Sequence, residues 1–148
     1  MVNESTHVGP APLAARLRPV LLKLARELRR EVHPLGVTGG QVSLLVEIER
    51  RPGIAAAELA TRERISPAGM SGHVARLERA SLVERRAHSR DRRRRGLVLT
   101  PAGQSVLRSV RARRTAWLAK RLQRLSAPEL AAIDGAIAPL RRLLEEDA

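Results

Sequence analysis

The stretch from residue 66 to residue 100 limits the fold of this chain more than any other part of its sequence. Ser66 followed by Pro67 is typical of a helix N-terminus, because serine caps the first turn and proline suits its first position. Leu82–Val83 and residues 96–99 indicate two short strands, and the polar residues AHSRDRRRR between them are not suited to burial. The pattern predicts a helix beside a β-hairpin whose arginine-rich tip projects into solvent.

The charge of the chain favours a polyanionic partner. It has 28 Lys+Arg against 15 Asp+Glu, a formal net charge of +13. Only Lys23 and Lys120 are lysines, so nearly all of this positive charge is arginine, which can bind phosphate or guanine bidentately. A coding bias toward arginine would explain the total, but the crowding of arginines between residues 76 and 95 indicates a basic surface. A helix beside an arginine loop suits double-stranded DNA.

Composition disfavours several other classes of protein. The chain has no cysteine, which excludes disulfides, cysteine-ligated zinc and thiol redox sensing. It has no recognisable Gly-rich phosphate loop, metal-ligand cluster or nucleophile with a base, so we expect no enzyme activity, metal or cofactor. No apolar run approaches the roughly 20 residues of a membrane span. We expect a cytoplasmic protein whose residues 1–12, which do not resemble a signal peptide, form a flexible tail.

Helical periodicity accounts for most of the remaining chain. Leucines recur at three- and four-residue steps from residue 13 to residue 28, and Pro19 is expected to kink this helix or to start its main part. Thr38 with Gln41, and Ser126 with its own glutamate three residues later, form capping boxes that predict helix starts. Helices are expected near residues 13–30, 38–51, 55–62, 66–79 and 101–125, and from residue 126 onward.

The predicted fold class is mainly α with a small β-hairpin, arranged as a single domain over residues 13–148. Residues 38–100 are expected to form a winged helix-turn-helix, and residues 13–36 and 101–148 to be dimerisation helices. The terminal helices carry apolar stripes, and a lone chain of 148 residues offers little to cover them. A second copy of the chain is the cover that we expect, which would make the protein a homodimer.

The helix that starts at Ser66 has two distinct faces. At 100° per residue, Met70, Val74 and Leu77 lie on one side and are expected to be buried. The opposite side combines arginines with small residues, although each interior glycine costs about 0.8–1 kcal/mol relative to alanine. Close approach to DNA would offset this cost, and an ordinary solvated face is the alternative. The predicted DNA contacts are Ser66, Ala68, Gly69, Ser71, Gly72, Arg76 and Arg79, of which Ser71 and Arg76 are expected to read bases.

The hairpin tip, which we call the wing, supplies the other predicted contacts. Asp91 lies among arginines and is expected to fix the loop through an ion pair, because no catalytic base accompanies it. A solvated or disordered tip is the alternative interpretation of such a charge run. The wing residues expected to contact DNA are Arg86, Arg90, Arg92, Arg93 and Arg94.

Three stretches together, TGGQVSLLVEI, ELATRERISPAGMSGHVARLERASLVERR and DRRRRGLVLTPAGQ, resemble the MarR family of bacterial transcriptional regulators. The resemblance covers nearly the whole chain. It implies a homodimer with interlocking terminal helices, two winged lobes on half-sites about 10 base pairs apart, and repression relieved by a small ligand. It also implies that Asp91 pairs with Arg93 to stabilise the wing. The chain departs from the family at Ser81, where glycine is common, and at Gly72 and His73, where a polar and an aliphatic residue are common.

The resemblance implies an effector site between the winged lobe and the dimer helices. Arg16, His33 and Trp117 are the predicted ligand-binding residues, and the arginines favour an anionic ligand; ordinary interface packing is the alternative for Trp117. A different function, that of a sequence-nonspecific architectural DNA-binding protein, is motivated by the high charge and the glycine-bearing helix. It would give steep salt dependence without a preferred site. Single-stranded RNA is disfavoured, because the chain has one Trp and no Phe or Tyr for base stacking.

Overall fold

The computed structural model describes residues 8–87 and 95–146 and confirms a mainly helical fold with one two-stranded antiparallel hairpin. The winged helix-turn-helix consists of the second to fourth helices and this hairpin. The elements in chain order are α1 (Pro10–Arg30), a 3-10 turn (His33–Leu35), α2 (Gly39–Arg50), α3 (Ala56–Glu63), α4 (Pro67–Arg79), β1 (Val83–Ala87), β2 (Arg95–Leu99), α5 (Pro101–Leu122) and α6 (Ala127–Arg142).

The helix starts follow the predicted capping residues. The Thr38 hydroxyl accepts a hydrogen bond from the Gln41 N–H at 3.1 Å, and the Gln41 side chain accepts the Thr38 N–H at 2.9 Å. Ser126 and Glu129 form the same reciprocal pair at the start of α6. The Ser66 hydroxyl caps α4, as predicted. Each cap satisfies N–H groups that the first turn of a helix leaves without an intrahelical partner.

The boundaries of the terminal helices differ from the prediction. Helix α1 begins at Pro10 and not at residue 13, so the predicted tail is too long by three residues. Pro10 occupies the first helical position, where its missing N–H removes no intrahelical hydrogen bond. Pro19 lies inside a helix that continues on both sides of it, so it does not start the helix. At the other end, α6 stops at Arg142, and Leu144 lies beyond it.

Most of the hydrophobic core lies inside the winged lobe, which we define as α2, α3, α4, the hairpin and the N-terminal half of α5. Val32 and Val37, on either side of the 3-10 turn, complete it. Met70, Val74 and Leu77 of α4 are buried in this core, as the helical period predicts. Each large aliphatic side chain buried in this way contributes about 1.5–3 kcal/mol. The fully buried side chains are Leu44, Leu45, Ile48, Leu59, Met70, Leu77, Leu97, Leu107, Val32, Val42, Val74 and Val110.

The hairpin is attached to the end of α2 by a close backbone contact. Val83 pairs with Leu99, and the ladder continues to Ala87 opposite Arg95. The Gly53 N–H donates to the Leu97 carbonyl at 2.8 Å. A Cβ on Gly96 would lie only 2.0 Å from the Gly53 carbonyl oxygen, so this approach requires glycine at position 96. The contact fixes the base of the wing against the segment that follows α2.

Two residues other than glycine, Arg64 and Ser81, have positive φ in the described part of the chain, at 53° and 60°. The left-handed region costs a residue with a Cβ about 1–2 kcal/mol, because Cβ approaches the following carbonyl oxygen. Arg64 ends α3, and Ser81 follows the last turn of α4. A left-handed turn therefore follows α4, the recognition helix of the helix-turn-helix, and Ser81 adopts it at the position where glycine is common in the MarR family.

Helices α1 and α6 differ from the lobe, because no residue of either helix is buried. Leu22 of α1 exposes 62% of its surface and Ile137 of α6 exposes 47%. Further exposed apolar residues on the two helices are Leu13, Val20, Leu21, Leu24, Leu130 and Ile133. None of the helices within residues 8–87 and 95–146 is long and apolar enough to cross a membrane.

Candidate nucleic-acid interface

Helix α4 presents the predicted DNA face to solvent. Its buried side anchors it to the core, which leaves Ala68, Ser71 and Ala75 exposed on the opposite side. Arg76 and Arg79 are exposed in the last two turns of the same helix. The outer face therefore combines a small-residue surface near the N-terminal half with two guanidinium groups near the C-terminal end.

The two glycines of α4 have different surroundings. A Cβ on Gly69 would lie 3.0 Å from the Ser66 hydroxyl oxygen and 3.2 Å from the Ile65 Cγ2, so glycine there leaves room for the helix cap. At Gly72, the nearest atom to an added Cβ is Arg76 Nη2 at 3.6 Å, an ordinary contact distance. The Arg76 Nε donates to the Gly72 carbonyl at 3.3 Å, which holds the arginine along the helix surface. Of these two glycines, only Gly72 has enough space around it for a larger side chain.

The base of the wing adds basic side chains next to α4. The Arg85 Nε lies 3.2 Å from Glu78 Oε1, an ion pair that connects β1 to the last turn of α4. Arg86, a predicted DNA contact, is paired with Glu84 at 2.6 Å, so it would bind a phosphate in competition with this carboxylate. Arg95 is exposed at the start of β2. Because exposed ion pairs contribute little, about 0–1 kcal/mol, neither pair prevents an arginine from turning to DNA.

Within the described residues 66–87 and 95–99, arginines outnumber carboxylates. The acidic residues there are Glu78 and Glu84, and the arginines are Arg76, Arg79, Arg85, Arg86 and Arg95. The predicted contacts Arg90, Arg92, Arg93 and Arg94, and the predicted pair of Asp91 with Arg93, lie outside the described residues and stay predictions. A surface with this excess of positive charge attracts a polyanion and increases the rate of encounter.

A second candidate site lies between α1, α2 and α5, where the terminal helices meet the lobe. This open pocket has a volume of about 520 Å³ and is lined by Arg29 of α1, Arg50 of α2 and Arg114 of α5. Burial, and after it the charge of Arg29, lower the pKa of Arg114. The Arg114 Nε also donates to the Leu28 carbonyl at 3.1 Å. Glu47 and Glu63 supply the opposing charge in the lining.

The predicted ligand residues do not come together in this pocket. Trp117 lines a separate cavity of about 360 Å³ with Val20 and Leu24, and the Arg121 guanidinium lies 3.7 Å from the centroid of its ring. Arg16 and His33 are exposed and line neither cavity. The pocket arginines were missed because they are far apart in sequence and meet only where α5 crosses the end of α1. Among the residues described, no group of three His, Cys, Asp or Glu is placed to hold a metal.

Comparison with known proteins gives matches to DNA-binding regulators. The sequence model of the MarR family matches residues 35–94. An HTH-type transcriptional repressor of Mycobacterium tuberculosis is 32% identical over 119 residues, which cover 80% of this chain and 86% of the relative. The crystal structure of a transcriptional regulator from Pseudomonas aeruginosa is 31% identical, with a TM-score of 0.80, and the match covers 93% of this chain and 96% of that one.

The fold is also found in a protein whose structure was solved bound to DNA. A mutant of Staphylococcus aureus MepR bound to an oligodeoxyribonucleotide matches with a TM-score of 0.67, covering 90% of this chain and 98% of that one. Its sequence identity is 17%, so the likeness concerns the fold alone.

Proposed function

Because the chain belongs to the MarR family of DNA-binding transcriptional regulators, we propose that it is a homodimeric repressor whose DNA binding responds to a small anionic ligand. The observation that carries this proposal is the division of the molecule into two parts. One part is a packed lobe with a basic outer surface, and the other is a pair of terminal helices with uncovered apolar residues. The name of the Mycobacterium tuberculosis relative, a transcriptional repressor, supports the sign of regulation.

In the proposed complex, α4 enters the major groove of double-stranded DNA. The small residues Ala68, Ser71 and Gly72 allow the helix backbone to approach the bases closely, and Ser71 supplies a hydroxyl for hydrogen bonds. Arg76 reads a base when it leaves its single hydrogen bond to the Gly72 carbonyl, since guanine offers it two acceptors, O6 and N7. Arg79 holds the phosphate backbone, as do the predicted wing residues Arg86, Arg90, Arg92, Arg93 and Arg94.

In the proposed dimer, the apolar faces of α1 and α6 are covered by the same helices of a second copy. Several exposed leucines and isoleucines on one helix are typical of an interface and not of a monomer surface. A two-fold axis through these helices would present two α4 helices to one face of the duplex. The half-sites would then lie about one helical turn, or about 10 base pairs, apart.

The pocket between α1, α2 and α5 is the proposed effector site. Its volume of about 520 Å³ is within the range of pockets that hold small organic molecules. An anion between Arg29 and Arg114 would relieve the repulsion between these two guanidinium groups. Because Arg114 also holds the end of α1, a ligand there would change how the dimer helices are attached to the lobe. The surroundings of Trp117 support interface packing in place of the predicted ligand contact.

The first experiment is selection of bound duplexes from a random pool at near-physiological salt, followed by titration against scrambled DNA. The proposal predicts an enriched inverted repeat bound about 1,000-fold or more tightly than the scramble. Equal affinity for every duplex would instead favour a sequence-nonspecific architectural protein. That alternative is favoured by the outer face of α4, which offers few base-reading side chains beside Ser71 and Arg76.

Two sets of variants separate base reading from phosphate binding. Arg76→Ala should reduce the preference for the selected site over the scramble, whereas Arg92→Ala with Arg93→Ala should weaken binding to all duplexes and lower its salt dependence. Lys120→Ala, which removes an exposed cation near the end of α5, is the matched control and should bind normally. Normal affinity and salt dependence in the wing variants would place the wing outside the interface.

The effector site is tested with benzoate, a small aromatic anion, and with benzamide as its neutral counterpart. Benzoate should raise the melting temperature of the protein and weaken its binding to the selected duplex, and Arg114→Gln should abolish both effects. Arg121→Gln, in the cavity beside Trp117, is the control and should leave them intact. Equal responses to benzoate and benzamide would contradict recognition of the negative charge.

A further inference from the structure

Arg64, in the turn between α3 and α4, has a left-handed backbone conformation and a charged side chain that forms no ion pair with the other described residues. Its backbone has φ 53° and ψ 44°, the left-handed conformation that suits glycine. The conformation itself is needed, because the Arg64 N–H closes α3 by donating to the carbonyls of Ala60 and Thr61. Glycine would make the same backbone bonds without the steric cost, so the turn gains nothing structural from having a side chain at this position.

The Arg64 side chain is exposed and takes no part in the ion pairs found between described residues. The contrast with Arg62, two residues earlier, is direct. The Arg62 guanidinium lies 3.4 Å from Glu58 and 3.9 Å from Glu47, and thus stabilises the lobe itself. The charge of Arg64 is directed to solvent, where an external anion can reach it.

The position of Arg64 points to a DNA phosphate as this external anion. It lies two residues before Ser66, the cap of α4, and is therefore beside the helix end proposed to approach the groove. The phosphate backbones of DNA border the groove on both sides, and guanidinium groups bind phosphate bidentately. The positive end of the α4 dipole lies at the same place and adds to the attraction.

We propose that Arg64 binds a DNA phosphate at the edge of the groove that α4 enters, and that this contact is the role of its side chain. The proposal rests on the proposed interface through α4 and adds a contact that lies outside both the recognition helix and the wing. In this arrangement, the left-handed turn orients the arginine, and the Ser66 cap fixes the start of α4 relative to the bound phosphate.

The experiment compares Arg64→Gln, Arg64→Gly and Arg64→Lys with Ser81→Gly. The glutamine variant removes the charge and keeps the unfavourable backbone, whereas the glycine variant removes both. Ser81 is the matched control, because among the described residues it is the one non-glycine residue other than Arg64 that has positive φ. DNA affinity for the selected duplex is measured by fluorescence anisotropy between 50 mM and 300 mM salt, and melting temperatures are measured without DNA.

The proposal predicts that Arg64→Gln and Arg64→Gly both bind DNA about tenfold or more weakly than the original protein. A plot of the log association constant against the log salt concentration has a negative slope. The magnitude of this slope should decrease by about 0.9 for each phosphate that the variant no longer binds. Arg64→Lys should keep most of the slope, because the charge remains. Arg64→Gly and Ser81→Gly should both melt at higher temperature than the original protein, whereas only the Arg64 variant should bind DNA more weakly.

Normal affinity and slope in Arg64→Gln would overturn the proposal, and so would a loss confined to Arg64→Gly, which would trace the effect to the backbone. Arg76→Ala distinguishes this failure from failure of the whole interface. If Arg76→Ala weakens binding and Arg64→Gln does not, only the Arg64 contact is wrong. If both variants bind normally, α4 does not enter the groove.

Discussion

Leu45 of α2 has no exposed surface, whereas Leu22 of α1 exposes 62% of its surface, although both leucines lie on amphipathic helices of the same chain. The winged lobe buries its aliphatic side chains among its own elements. Helices α1 and α6 bury none of their residues within the protomer. An apolar stripe therefore has two different surroundings in this protein: in the lobe it forms the core, and on the terminal helices it stays uncovered within the protomer, where the proposed dimer would cover it.

Within the described structure, two arginines of α5 hold the C-terminal end of α1 through hydrogen bonds, beside the apolar contact that Val32 makes with the core. Arg113 donates from Nε to the Glu31 carbonyl at 2.7 Å, and Arg114 donates to the Leu28 carbonyl at 3.1 Å. Both carbonyls lie at the C-terminal end of α1, where helix carbonyls lack intrahelical partners. Arg111 of the same helix is paired with Glu49 of α2, which raises the pKa of Arg111. A polar connection of this kind is open to competition from an anionic ligand, unlike a packed apolar contact.

The largest expected effect is in the lobe. Leu45→Ala should reduce the free energy of unfolding by about 2–5 kcal/mol, because the removed atoms leave a cavity in a packed core. Leu22→Ala, on α1, should change it by less than about 0.5 kcal/mol when the protein is diluted below its dimer dissociation constant. Urea unfolding at two protein concentrations measures both. If both variants lost the same free energy of unfolding at low concentration, Leu22 would be as important to the protomer as Leu45, which would contradict the difference between the two regions.

The next effect concerns association. Ile133→Glu together with Ile137→Glu should raise the dimer dissociation constant about 100-fold or more, since two carboxylates would replace apolar side chains at the interface. Sedimentation measures this constant directly. Ala132→Glu, which is exposed and lies about 120° around α6 from the midpoint of these two residues, is the matched control and should associate normally. Unchanged association in the double variant would show that α6 faces solvent.

A smaller effect compares glycines in the two regions. Nothing lies within 4 Å of a Cβ added to Gly135 of α6, so Gly135→Ala should raise the free energy of unfolding by up to about 1 kcal/mol through helix propensity. Gly96→Ala, in the lobe, should reduce it, because the added methyl group would strike the Gly53 carbonyl. Thermal unfolding distinguishes the two signs. A destabilised Gly135→Ala would indicate that α6 is closely covered at this position.

The smallest effect is the pH dependence of the α6 cap. The backbone and side chain of Ser126 donate hydrogen bonds to Glu129 and lower the pKa of this carboxyl. A lowered pKa in the folded state stabilises the protein above the unfolded value, near 4.3, and this contribution is lost as the pH falls through the folded value. Glu129→Gln should therefore melt below the original protein at pH 7 and together with it at pH 3. Equal melting temperatures of Glu129→Gln and the original protein at pH 7 would contradict this role of the cap.

Most local features of the fold could be predicted from the sequence. The caps at Thr38, Ser66 and Ser126 depend on side chains three residues from their partners, so short spacing was sufficient to find them. The inward face of α4 follows from the helical period alone. The start of α1 was misplaced, because proline at the first helical position resembles proline in a tail.

The candidate site could be predicted only in part. The outer face of α4 was found from periodicity and charge, and the role of Gly69 beside its cap was not. The left-handed conformation of Arg64 could be predicted from the sequence, because the short connection between the predicted third and fourth helices contains no glycine. The predicted ligand residues Arg16, His33 and Trp117 have side-chain types suited to a ligand, but side-chain type does not indicate which helices approach each other.

The sequence by itself determined the helices, their caps, the hairpin and the strong positive charge, because each depends on neighbouring residues or on composition. The tertiary structure decided which apolar stripes are buried and which remain uncovered, and it brought Arg29 and Arg114 into one pocket. It also required glycine at position 96 through a contact with residue 53. These features depend on distances between segments remote in the chain, and such distances are fixed only when the whole lobe packs.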